Sequence, residues 1–246
     1  MLLRSLRSDT YKMKHTPIPW LHVLVPLLGS LSFLWYYASS GNHTSFDMLT
    51  GFMEVLCMIF PLIIGIVCGL IAAQEEQAGR YQVILSEVRI RTVAYLSKLL
   101  LLLMLSAFSV TFSVLIFSVG LNNIPMRLSM QLALAAWGGN IFLYILHLYA
   151  GFRFGHGASI GLGVFGSLIS PLMMTGLGDG IWCFIPWAWG GRICGSLIHL
   201  LHSSSLNTRI LIDMNYGIMI CAVVTLLSLT ASLIWFQHWE GTKSYE

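Results

Sequence analysis

The run from Val55 to Ala73, VLCMIFPLIIGIVCGLIAA, contains no charged residue and is apolar almost throughout. A helix of about 20 such residues crosses a hydrocarbon core of about 30 Å. Runs of this kind recur along the chain, and 246 residues cannot bury so many of them inside one soluble globule. An apolar fraction of 57% and a mean hydropathy of +0.79 agree. The expected class is an all-α polytopic membrane protein. The runs place six transmembrane helices at about 17–38, 47–73, 95–118, 130–152, 158–177 and 214–236, within a single domain over 1–246. Pro61 and Pro171 fall inside two of them as kink sites.

The segment before the first span, residues 1–16, sets Leu2, Leu3 and Leu6 against Arg4, Arg7 and Lys12. It reads either as a short interfacial helix or as a basic tail that sets orientation. With the N-terminus inside, the inner segments hold ten Lys and Arg (residues 4, 7, 12, 14, 80, 89, 91, 98, 153 and 243), and the outer ones hold only Arg127, Arg192 and Arg209. Positive charge favours the cytoplasmic side. The expectation is therefore a plasma-membrane protein with both termini and residues 74–94 in the cytoplasm.

Residues 178–212, GDGIWCFIPWAWGGRICGSLIHLLHSSSLNTRILI, are too apolar for a plain loop and too interrupted for an ordinary span. Trp182, Trp187 and Trp189 suit a re-entrant hairpin at headgroup level, where indole rings face lipid and their N–H groups reach water. A seventh span is the alternative. Cys183 and Cys194 share this segment, and a disulfide between them is conceivable.

Catalytic and nucleotide-binding patterns are weak. GLGVFG at 161–166 matches a dinucleotide fingerprint but lies in an apolar span with no preceding strand, so close helix packing explains it better. GTKS at 241–244 has the wrong spacing for a phosphate loop. His199 and His202, at i and i+3, lack the spacing of a metalloprotease helix, and no metal site is expected. Within the spans Glu54, Asn140 and His147 are widely spaced, against a membrane-embedded enzyme. Glu54 lies roughly 12 Å into its helix. There it either pairs with a polar neighbour such as Asn140 or contacts a cationic ligand. Asp47, Asp179 and Asp213 are further acids on the outer side.

Charge is scarce, at 9% of residues, yet AAQEEQAGRYQVILSEVRIRTVAYLSK at 72–98 holds three acids and four bases. As a helix, residues 78–91 set Ala78, Tyr81, Leu85 and Val88 on one face and Arg80, Glu87 and Arg91 on the other. Mixed charge favours a soluble partner over a lipid surface.

Six spans with an amphipathic stretch between the second and third resemble the ABC-2 type of ABC transporter permease. The resemblance rests on Glu75-Glu76, Gly79, Leu85-Ser86, Arg89, Arg91 and YLSKLL at 95–100; a proline frequent before the basic pair is lacking. It implies a type V exporter-like fold. A coupling helix at about 78–90 would dock on an ATPase through Glu76, Gly79, Arg80, Tyr81, Ile84, Leu85, Val88 and Arg89. Chain length and GDGIWCFIPWAWGGRI at 178–193 bring it nearest to permease subunits of lantibiotic-immunity transporters of the mutacin and epidermin type. That implies a pair of ATPase subunits holding ATP and Mg, a second homologous permease (a heterodimer), surrounding membrane lipids, and expulsion of a peptide antibiotic. No cofactor in this chain and no nucleic-acid partner are expected. Peptide contact would fall to Glu54, Asp179, Trp182, Trp187, Trp189 and Asp213. The alternatives are an exporter of another amphiphile and a membrane immunity protein that transports nothing.

Overall fold

The computed structural model describes residues 2–40, 44–78, 81, 91–122, 124–202 and 207–241. Its α-helices are α1 (Leu2–Lys14), α2 (Ile18–Ser40), α3 (Ser45–Gln77), α4 (Arg91–Leu121), α5 (Met126–Phe154), α6 (His156–Met174), α7 (Trp189–His202) and α8 (Thr208–His238). Six of them, α2 to α6 and α8, are long and apolar enough to cross a membrane. They coincide with the six expected runs and extend beyond most of them. The 33 residues of α3 make about 50 Å of helix, so its ends outreach a core of about 30 Å.

Helix ends follow local chemistry. Thr44 caps α3: its Oγ1 accepts from the Asp47 N–H, and Asp47 Oδ2 accepts from the Thr44 hydroxyl at 2.6 Å. Asp47 is thus a capping residue rather than a free acid. Between α5 and α6 the chain reverses at Gly155, whose φ of +90° suits glycine.

Helix α5 is the centre of the bundle, touching α3, α4, α6, α7 and α8. The most extensive pairing joins α3 to α6. A Cβ on Gly65 would stand 2.7 Å from the Ser159 carbonyl oxygen, and one on Gly163 would stand 2.7 Å from that of Pro61. The GLGVFG run is therefore part of a packing seam in which backbones nearly touch. Ser159 donates to the Gly65 carbonyl across it at 2.8 Å.

Alternating helix directions give the bundle two ends. At one, α1 lies against α4, and Tyr95, Phe152, Phe236 and Trp239 pack together. At the far end Phe52 of α3 stacks on Phe117 of α4, centroids 4.0 Å apart. Also there, three 3-10 turns (Gly176–Gly178, Trp182–Phe184, Pro186–Ala188) lead from α6 into α7. The 14 residues of α7 fall short of the about 20 that a span requires. It packs on α5 through Gly139 and Gly190, where a Cβ on Gly139 would meet Gly190 at 2.7 Å.

Candidate functional site

The far end holds an open cavity of about 880 Å³ between α3, α7 and the start of α8. Glu54, Asp179 and Asp213, separated by up to 159 positions in sequence, all line it. Glu54 is exposed there and has no ion-pair partner among the described residues. Asn140 is not its partner: that side chain is buried and donates to the Ala136 carbonyl at 2.6 Å. Arg192, Arg209, His199, Tyr216, Ser196 and Thr208 complete the polar part of the wall.

The guanidinium of Arg192 is already committed. It donates to the carbonyls of Met173 at 2.5 Å and Thr175 at 2.6 Å, closing the C-terminal end of α6, and pairs with Asp179 at 2.9 Å. Glu54 and Asp213 therefore face a cavity in which one of the two arginines is bound to the scaffold. Among these groups are apolar faces from Met174 and Ile212. The arrangement can hold an amphiphile that carries positive charge.

The tryptophans differ from the expectation of lipid-facing rings. Trp182 and Trp189 are fully buried, 1% exposed each, and their N–H groups bond inside the protein. Trp182 donates to Asp213 Oδ2 at 2.9 Å and Trp189 to the Cys183 carbonyl at 2.8 Å. Neither lines the cavity; Trp182 bears on it through Asp213, and both rings are closed to a ligand. Trp187, in the Pro186–Ala188 turn, is half-buried against α6, its ring 5.5 Å from that of Phe165. The five cysteines are free thiols, Cys183 and Cys194 included. Burial pushes the Cys183 thiol up.

At the other end stands the root of the 74–94 segment. Helix α3 stops at Gln77, with the Ala78 N–H bonded to the Gln74 carbonyl. Tyr81 then takes φ +66°, so no helix runs through it from 78. Its N–H returns to the Glu75 carbonyl at 3.2 Å. Its ring is 1% exposed, 4.9 Å from Trp239 and 6.0 Å from Phe152. Burial, helped by the Glu76 and Glu75 charges, pushes its hydroxyl up to about 12. Tyr81 therefore faces inward, where the sequence pattern put it on an exposed docking face. Glu76 is exposed at the last turn of α3. Gly79, Arg80, Ile84, Leu85, Val88 and Arg89, with the rest of the expected coupling helix, lie outside the described residues.

The charge of this region has a structural use that sequence reasoning missed. Lys98 sits 2.6 Å from Glu75 and 2.6 Å from Asp9, and Glu75 also takes Lys12 at 3.2 Å. Ser97 donates to Asp9, and Ser5 joins Ser97 at 2.9 Å. Arg91 donates to the Trp239 carbonyl at 2.8 Å, closing α8. The available signal was Asp9, a lone acid on the inner face of a basic helix.

A family model of ABC-2 family transporter proteins matches residues 5–170. No curated protein and no solved structure matches the chain. The match begins within α1, covers α2 to α5 and the 74–94 segment, and ends inside α6. With six apolar helices and that coverage, the chain belongs to the ABC-2 family of transporter proteins, as a membrane component of a family that in general pairs with an ABC ATPase.

Proposed function

We propose that this chain is the permease subunit of a bacterial ABC exporter that clears a cationic amphipathic peptide, of the lantibiotic type, from the outer leaflet. The cavity carries the reading. It joins apolar wall to the Glu54 and Asp213 carboxylates, which suits a peptide already lodged in lipid. The distribution of Lys and Arg supports an orientation with this end outward and both termini and residues 74–94 in the cytoplasm. On this reading residues 178–212 are the re-entrant outer element, and Asp179, Arg192 and Arg209 within it line the cavity.

ATP and Mg are held by a separate pair of ATPase subunits. Glu76, Gly79, Arg80, Ile84, Leu85, Val88 and Arg89 meet them, with Tyr81 anchoring the segment to the bundle. Closure of the ATPase pair pulls this segment and rocks the helices as rigid bodies, changing access at the outer cavity. A second homologous permease completes the pathway. Helices α2 and α8, the least buried of the six within this chain, leave faces free for it and for lipid.

The test compares lantibiotic susceptibility in cells with and without the chain. Loss of the chain should sensitise cells. Glu54→Gln with Asp213→Asn should do the same at unchanged protein level, while an ATPase subunit still co-purifies. Unchanged susceptibility without the chain overturns the peptide reading; failure of any ATPase to co-purify overturns the exporter reading.

A further inference from the structure

Helix α1 is held in a fixed rotation by the Asp9–Lys98 and Lys12–Glu75 pairs, and this decides what its other face offers. Arg4, Arg7, Tyr11 and Lys14 follow at i, i+3, i+7 and i+10, which puts them on one stripe. All four are exposed, and the three bases have no acidic partner among the described residues. They border an open recess of about 980 Å³ whose apolar part includes Leu101 and Leu105 of α4.

The two leucines indicate what fills it. Counting from Lys98, they lie about 4.5 and 10 Å further along α4, toward the middle of the span. Met104 and Phe108 beside them are exposed, as on a helix face that meets lipid tails. A cytosolic protein reaches the bases but not this depth. A phospholipid spans both, its anionic headgroup on the guanidinium and ammonium groups and an acyl chain along Leu101 and Leu105.

We infer that the recess between α1 and α4 is a binding site for one anionic phospholipid. It is independent of the molecule transported, because it lies at the opposite end from the cavity of Glu54 and Asp213.

The experiment is native mass spectrometry of the purified full chain in neutral detergent, titrated with dioleoylphosphatidylglycerol and dioleoylphosphatidylcholine. The anionic lipid should bind at least about tenfold more tightly, with about fivefold lost for each base removed. The triple variant Arg4→Gln, Arg7→Gln, Lys14→Gln should lose the preference, whereas Arg127→Gln, at the far end, should keep it. Leu105→Trp fills the recess without touching charge and should weaken phosphatidylglycerol binding. Equal binding of the two lipids overturns the site, as does an unchanged preference in the triple variant. A Leu105→Trp protein that melts normally and binds undiminished would mean only diffuse surface attraction, which also overturns it. If the triple variant loses an ATPase subunit but keeps its lipid preference, the face belongs to that subunit instead.

Discussion

Lys98 places its ammonium 2.6 Å from a carboxylate oxygen of Glu75, both side chains almost wholly buried. The same ammonium reaches Asp9 at 2.6 Å, so one lysine joins α1, α3 and α4. Two carboxylates without it would be left in low dielectric. Lys12 remains near Glu75 alone, with its own side chain 32% exposed.

Lys98→Met is accordingly expected to destabilise the protein by about 3–5 kcal/mol, since it strands Asp9 and leaves Glu75 only the partly exposed Lys12. Lys12→Met should cost less than about 1 kcal/mol, because its partner retains Lys98 and its own charge is partly solvated. Thermal melting of the purified chain separates the two. Adding Asp9→Asn and Glu75→Gln to Lys98→Met should recover much of the loss, by removing the stranded charge.

The α3–α6 seam gives an internal contrast. Gly65→Ala and Gly163→Ala each push a methyl to 2.7 Å from a backbone oxygen, which only a helix shift can relieve. A cost of about 1–3 kcal/mol is expected for each. At Gly161, also in the GLGVFG run, an added methyl meets nothing within 4 Å. Gly161→Ala should be neutral or stabilising by up to about 1 kcal/mol. Equal melting points for Gly161→Ala and Gly163→Ala would contradict this packing.

These particulars show what the sequence could disclose. Apolar length announces a span directly, because in lipid a continuous apolar run satisfies its backbone within one segment only as a helix; α2 to α6 and α8 were legible for that reason. The joining of Glu54, Asp179 and Asp213 in one cavity needed the path of α7, which no local pattern encodes. The orientation of Trp182 and Trp189 was misread because an aromatic suits both a headgroup layer and a buried corner. Only a neighbouring acceptor, here Asp213 and the Cys183 carbonyl, distinguishes them. Tyr81 failed for a similar reason. Its helical spacing to Ala78, Leu85 and Val88 is real in the sequence, but at φ +66° Tyr81 itself is not helical and its ring turns into the bundle.

Trp182 offers a test of the corrected orientation. Trp182→Ala should cost about 3–5 kcal/mol, as for a large core side chain, whereas a ring in headgroups would be nearly silent. Trp182→Phe retains much of the volume but loses the bond to Asp213, at about 1 kcal/mol. Glu54→Gln should leave the melting point unchanged, because among the described residues no ion pair depends on that charge. Melting and peptide resistance measured on the same variants divide scaffold from site.

The root of the cytoplasmic segment makes the sharpest distinction between folding and coupling. Tyr81→Phe should be tolerated, since the hydroxyl has no hydrogen-bond partner among the described residues and its removal exposes no acceptor. Tyr81→Glu forces a carboxylate into the nest of Phe152 and Trp239 and should lower the melting point sharply. A lost ATPase interaction in that variant would therefore say nothing about docking. Leu85→Glu is the informative substitution. If residues 84–89 meet the ATPase, this variant keeps the wild-type melting point and loses co-purification of the ATPase subunit. Retention of that subunit by a well-folded Leu85→Glu protein would exclude Leu85 from the contact.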